Sequence, residues 1–154
     1  MTKFLAVLCI AGMTCLSTAA LAATPYATNA NRLIARTDTT IIGQKIEVPK
    51  NPTVIVSSST FAPGMRTPVH KHLYPHYVYI MDGTLTVVNS ETGKSYDMKP
   101  GTFFLEMLNT WHYGINKGAV PVHTLVVDQV PAGVKVNHVL KDPTEKEGLA
   151  WKEH

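Results

Sequence analysis

The chain has 154 residues, 45% of them hydrophobic, with 14 Lys and Arg against 11 Asp and Glu and a net charge of +3. That is enough for one domain with a real core. The basic residues are scattered, with no basic helix and no aromatic–basic interleaving, which argues against a nucleic-acid binder.

Residues 1–22 read as a secretory signal. Lys3 supplies the positive start, Phe4 to Leu16 is mostly apolar, and Ala20-Leu21-Ala22 offers the small residues of a cleavage site before Ala23. The apolar stretch is too short and interrupted for a stable span, so no membrane contact is expected of the mature form. Both cysteines, Cys9 and Cys15, fall inside this signal. Export without any remaining thiol or disulfide points to the periplasm. The mature chain would have 132 residues (154 minus 22) and a charge of 13 minus 11, or +2.

Residues 23–38 read as a polar arm and 39–140 as one β-domain. Thr39 to Glu47 carries Ile41, Ile42 and Ile46 and reads as β-type. Pro49-Lys50-Asn51-Pro52 breaks the chain before a Val-, Ser- and Thr-rich strand at Thr53 to Phe61. Pro63-Gly64 is a turn, and Pro68 to His72 is a short approach. Tyr77 to Met81 is a strong strand, Asp82-Gly83 a hairpin signal, and Thr84 to Asn89 the returning strand. Ser95 to Met98 follows a turn at 91–94. Thr102 to Leu108 is apolar except for Glu106, and Val120 to Val130 is a further strand. Many short strands at this spacing mean a sandwich or barrel. The tail, 141–154, has a short helical pattern at Asp142 to Trp151, with Pro143 in its first turn.

Four of the seven histidines form one pattern, Gly64-x5-His70-x-His72-x3-His76-x6-Gly83, followed by Gly101-x10-His112-x3-Asn116. Imidazole is a common ligand for zinc, copper, iron and nickel. His70 and His72 project from the same strand face, because strand side chains alternate. His76, at an even offset, returns to that face if the chain bends at Pro75. His112 arrives from a distant strand.

This spacing resembles the two motifs of the cupin family, small β-barrels of the jelly-roll type. Gly64, His70, His72 and Gly83 match the first motif, with His76 where the family usually has Glu. Gly101, His112 and Asn116 match the second, with Met107 and Asn109 in place of its Pro and Gly. The resemblance implies an all-β, single-domain cupin barrel. It implies His76 as fourth ligand beside His70, His72 and His112, against a rim histidine beside a three-histidine site, and one divalent transition metal: iron, manganese, nickel, copper or zinc. It leaves the activity open, since cupins include dioxygenases, decarboxylases, isomerases, lyases, storage proteins and sugar-binding regulators.

Glu106 is the single charge in Phe103 to Leu108. Pointing inward it is a catalytic proton carrier or an orienter of an imidazole; pointing outward it is an ordinary solvated residue. Arg66 is a candidate for a substrate carboxylate, against a solvated loop residue. Trp111 and Tyr113, flanking His112, are candidate pocket walls for a small-molecule substrate, against plain core packing. His123 reads as structural and His138 as solvated. Tyr77 and Tyr79 share a face suited to another sheet or subunit, and barrels of the cupin type commonly pair, so a homodimer is expected.

The leading expectation for function is a dioxygenase acting on a small, anionic organic substrate at a four-imidazole centre with no protein charge. The alternatives are a metal-dependent lyase, decarboxylase or isomerase, and a non-enzymatic periplasmic binder of metal or small ligand.

Overall fold

The computed structural model describes residues 32–145. The signal read at 1–22 and the start of the arm lie outside the described residues. Residues 32–37 run irregularly and fully exposed, as an arm should. Among the described residues no helix is long and apolar enough to cross a membrane.

Among the described residues nine strands follow: β1 Thr53–Phe61, β2 His70–His72, β3 His76–Asp82, β4 Leu85–Asn89, β5 Ser95–Met98, β6 Phe103–Leu105, β7 His112–Ile115, β8 Val122–Val130 and β9 His138–Leu140. They form two antiparallel sheets, ordered β1-β8-β3-β6 and β5-β4-β7-β2-β9. Alternation sets the inner faces: Val78 lies opposite Val126 and Phe104, while Leu85, Val87 and Met98 come from the other sheet. These residues, with Phe61, Ile80, Met107 and Val122, are one buried cluster. The fold is thus all-β, as the strand spacing implies, and the two-sheet jelly roll that the cupin resemblance implies.

Two local expectations change, and a third falls mostly outside the described residues. Thr39 to Glu47 is not a strand: Thr39 makes a single bridge to Lys45, and Thr40 turns the chain by accepting the Gly43 and Gln44 N–H groups. Two of its isoleucines, Ile41 and Ile42, pack on the core from outside the sheets. Asp82-Gly83 does not close a hairpin, because β3 and β4 belong to different sheets. It is the corner where the chain crosses between them. At the C-terminus, residues 142–145 form a turn in which Asp142 accepts the Thr144 N–H and hydroxyl, and 146–154 lie outside the described residues. The short strand β9 has no counterpart in the sequence pattern.

Gly83 is needed at that corner twice over. Its φ is +73°, and a Cβ there would stand 2.6 Å from the Pro121 carbonyl oxygen and 2.8 Å from Val122. Gly101 has φ +81° but open space around it. Gly101→Ala should therefore cost about 1–2 kcal/mol, the strain of a left-handed non-glycine residue. Gly83→Ala adds an overpacking cost of about 1–3 kcal/mol to the same strain. Urea unfolding of both variants checks the ordering; equal losses would refute it.

Candidate metal centre

The sheet register assembles the cluster. His70 on β2 lies directly opposite His112 on β7, and His72 is two residues further along β2. β6 ends at Leu105, and Glu106 follows with its backbone N–H donating to the His76 carbonyl at 3.0 Å. His70, His72, Glu106 and His112 are all buried, and their ligand atoms lie within 4.8 Å of one another. The four form a group that could hold a metal ion.

Each of the three rings has its Nδ1 tied to a backbone carbonyl. His70 Nδ1–H donates to Pro68 at 2.8 Å, His72 Nδ1–H to Asn137 at 3.0 Å, and His112 Nδ1–H to Thr110 at 2.7 Å. A carbonyl only accepts, so Nδ1 carries the proton and a neutral ring presents a bare Nε2 lone pair. The Nε2 atoms of His72 and His112 each stand 2.9 Å from Glu106 Oε2. An ionised carboxylate also only accepts. Buried acceptors converging at contact distance require a proton or a cation among them. A spacing near 2.9 Å is also what adjacent ligands of a divalent ion with bonds of ~2.1 Å adopt. The residues present therefore fit a metal ion.

The electrostatics agree. Burial, reinforced by His72 and His112, pushes His70 down to about 3. Burial and then His76 push His72 down to about 4, so both rings are neutral near pH 7. Burial alone would raise Glu106, but His112 and the contacts with His112 and His72 outweigh it and hold the carboxyl well below its ordinary range. His112 is raised by Glu106 against the opposing effect of burial. In the metal-free state His112 is thus the ring best placed to share a proton with Glu106.

His76 is held differently. Its ring stacks on His72, with centroids 3.8 Å apart and planes 8° from parallel. Its Nδ1 is 2.7 Å from Asp128 Oδ1, and its Nε2 is 4.0 Å from Glu106 Oε2. Asp128 sits opposite His76 in the β3–β8 register and is almost fully buried. His72, His76 and Asp128 form a second group that could hold a cation. An all-imidazole centre without protein charge is therefore not what the fold builds: Glu106 points inward, and its carboxylate lies among the rings.

Arg66, Trp111 and Tyr113 are not brought to this cluster. Trp111 and Tyr113 are neighbours of His112 in the chain, so alternation turns them to the other face of the sheet. There Lys71 lies over the Trp111 ring at 5.0 Å, and the Arg66 guanidinium over Tyr113 at 5.4 Å. The site gains instead Asp128, Asn137 and His138. His138 pairs with His72 in the β2–β9 register, is half-buried and stands 6.4 Å from the His70 ring, so it is not a solvated residue. Asp128 carried a sequence signal, a lone charge in an apolar strand; Asn137 and His138 carried none.

The two departures in the second motif are explained locally. Asn109, at the motif's glycine position, has φ +50°, a conformation Asn tolerates better than other side chains, and its N–H donates to His72 at 2.9 Å. Met107 is a fully buried core residue. Asn116 is a buried staple: its amide donates to the Phe61 and Val120 carbonyls and accepts the Gly118 N–H. Asn109→Gly should leave stability within about 0.5 kcal/mol, whereas Asn109→Ala should lose about 1 kcal/mol through left-handed strain. Thermal unfolding of the two variants checks this, and equal losses would show that conformation is not what selects Asn109.

Residues 57–128 match the model of the family described as a cupin domain, which supports the cupin family for the barrel and spans all of the cluster's His and Glu residues and Asp128. No curated protein matches the sequence. Among solved structures, the chain is similar to the polyketide cyclase RemF from Streptomyces resistomycificus, at 20% identity and TM-score 0.49, covering 58% of this chain and 63% of that one. It is similar to an oxalate decarboxylase from Lactobacillus farciminis, at 20% identity and TM-score 0.48, covering 58% of this chain and 27% of that one. A cupin domain from Bordetella pertussis Tohama I gives 19% identity and TM-score 0.46, covering 56% and 91%. The chain thus spans less than two thirds of the cyclase and about a quarter of the decarboxylase. At these values the likenesses do not bear on what this chain does.

Proposed function

We propose that this chain, with its cupin-domain match over residues 57–128, is a metal-dependent enzyme that moves a proton on a small, carboxylate-bearing organic substrate. His70, His72, His112 and Glu106 would hold one divalent ion, and His76 with Asp128 would carry the proton. The observation behind this reading is the His76–Asp128 pair standing beside a buried three-histidine, one-carboxylate cluster. Three imidazoles and a carboxylate suit iron, manganese, nickel or zinc, and copper is within reach of the same donors.

A divalent ion bound there supplies Lewis acidity toward a substrate oxygen. The rest falls to the chain. His76 Nδ1–H donates to Asp128, so its Nε2 is bare and able to take a proton. The Asp128 carboxylate then stabilises the imidazolium that forms, the role a buried carboxylate plays behind a catalytic histidine elsewhere. Among the clustered rings His76 is the reachable one: its side chain is 14% exposed, against 3% for His72 and 0% for His112. Glu106 offsets one unit of the ion's charge and leaves a net positive centre, which favours an anionic substrate.

This reading departs from oxidation by dioxygen, which rested on a protein-neutral ligand set. With Glu106 inside, that premise weakens, and a positioned base favours the lyase, decarboxylase or isomerase class. Export to the periplasm, read from residues 1–22, is part of the same proposal.

We expect about one divalent ion per mature chain by elemental analysis, and loss of most of it in His72→Ala. In Glu106→Gln an amide N–H would meet one of the bare Nε2 atoms. The metal-free variant should then unfold no earlier than wild type, while its affinity for the ion falls by at least about 10–100-fold. Calorimetric titration with and without metal checks both halves; unchanged affinity would place the ion elsewhere. For the reaction class, the metal-loaded protein under nitrogen should exchange solvent deuterium into a small carboxylic-acid substrate. Oxygen uptake in step with turnover would return the dioxygenase reading, and neither activity across a broad panel would favour the binder.

A homodimer is also proposed, through the outer face of the four-stranded sheet. The register puts Val54, Val56, Leu125, Tyr77, Tyr79 and Phe103 on that face, with Val56 61% and Val54 54% exposed. Its outward positions on β1, β8, β3 and β6, within the paired registers, carry one charged residue, Asp82, the last residue of β3 opposite His123. With its one charge at the end of β3, the apolar part of this face meets its own copy without like-charge repulsion, as a two-fold interface demands. Light scattering should give twice the chain mass, and Val56→Asp should halve it. A single-chain mass for wild type over a wide concentration range would remove the proposal.

A further inference from the structure

Two of the cluster's rings, His72 directly and His76 through Asp128, are linked to one residue, Asn137, in the loop before β9 and beyond the segment that matches the cupin model. Asn137 is buried, and every polar atom of its side chain is used. Its Oδ1 accepts the Tyr74 N–H at 3.0 Å, and its Nδ2 donates to the Tyr74 carbonyl at 2.9 Å and to Asp128 Oδ1 at 2.6 Å. Its backbone carbonyl accepts from His72 Nδ1 at 3.0 Å. Tyr74 lies midway between His72 and His76, so this one side chain clamps the bend that joins β2 to β3.

The clamp selects nitrogen atoms as well as position. Both partners of Asp128 within the site, His76 Nδ1 and Asn137 Nδ2, address the same oxygen, Oδ1. The Asn137 amide can only donate from Nδ2, so it fixes an acceptor at that point. An acceptor there requires the proton of a neutral His76 ring to sit on Nδ1. We propose that Asn137 is a positioning residue for two imidazoles: its carbonyl holds His72, and its side chain, through Asp128, holds His76, so that both Nε2 lone pairs face Glu106. Its consequence for catalysis rests on the function proposed above; the positioning itself does not.

His70 and His112 supply an internal control, because they are anchored independently by Pro68 and Thr110. The test is long-range ¹⁵N–¹H spectroscopy of histidine-labelled, metal-free protein at about pH 8, where a neutral ring reports its tautomer. In wild type all four rings should show Nδ1–H. In Asn137→Ala the Asp128 oxygen loses its fixed partner and the bend loses both Tyr74 contacts. His76 should then populate the Nε2–H form, while His70 and His112 keep theirs. Affinity for a divalent ion should fall about 10–100-fold, the usual effect of removing a group that orients a ligand.

If Asn137→Ala fails to fold, Asp128 gives the same readout. Asp128→Asn keeps an oxygen acceptor for both donors and should preserve the His76 tautomer, whereas Asp128→Ala should lose it. An unchanged His76 pattern in Asn137→Ala, or in Asp128→Ala where that is the variant measured, overturns the proposal. A change spread equally over His70 and His112 also overturns it, since that marks a general loss of structure. Tautomers that behave as described in a protein that binds no divalent ion would support the positioning role while removing the metal reading.

Discussion

A buried carboxylate faced by bare imidazole nitrogens is the interaction on which the rest of this structure turns. Each Nδ1 is committed to a carbonyl, so no ring among His70, His72 and His112 has a spare proton for Glu106 unless it becomes charged. Burial holds His70 and His72 neutral, which leaves His112 as the one that can. A proton shared by His112 and Glu106 still leaves His72 Nε2 facing the carboxylate without one. The site could hold a cation, and the backbone carbonyls of Pro68, Thr110 and Asn137 are the parts that leave the Nε2 atoms available for one.

The carboxylate reaches the cluster from an unexpected strand. The first motif usually places Glu on β3, where this chain has His76; here the negative charge comes from Glu106 after β6. The total donor chemistry of three imidazoles and one carboxylate is kept, although the chain position has moved. In the function proposed above, the exchange leaves an imidazole at position 76 for proton transfer. Backed by Asp128, that ring has a defined tautomer and a partner for the charge it would acquire. A Glu at position 76 could accept a proton too, but it would not need the Asp128 oxygen facing it, and a second buried carboxylate there would be repelled. Asp128 instead meets two donors, His76 Nδ1 and Asn137 Nδ2.

Much of the frame was legible from residues alone. β1 and β5 begin and end where β-favouring runs meet turn residues, at Thr53–Phe61 and Ser95–Met98. The metal cluster could be read because period-two alternation is a local rule and His70 and His72 obey it. The same rule already turned Trp111 and Tyr113 away from His112, so their absence from the site was available in the sequence. Other features depended on partners distant in the chain. Asp82-Gly83 has hairpin chemistry, yet nothing local says that the next strand joins the opposite sheet. Ile41 and Ile42 have β-type side chains, but Thr40 captures the backbone into a turn. β9 and Asn137 were hidden because three residues of strand and one polar loop residue have no periodicity to detect.

The polar cluster and the apolar core share the same strands without mixing. Along the inner face of β3 the order is His76, Val78, Ile80; along β8 it is Asp128, Val126, Thr124, Val122; β6 runs from Phe104 toward Glu106. Ionisable groups therefore gather at one end of the sheets, and Val78, Ile80, Phe104 and Val122 fill the space further along. Register enforces this separation, since a slip of one residue on β3 would send His76 outward and Tyr77 inward together. The apolar end can hold the fold while the polar end remains short of a cation. An ion that binds only the folded chain then adds stability by mass action, about 2.7 kcal/mol at a hundred times its dissociation constant. Stability and readiness to bind are thus assigned to opposite ends of the same strands, which is why the site can stay electrostatically incomplete without unfolding the barrel around it.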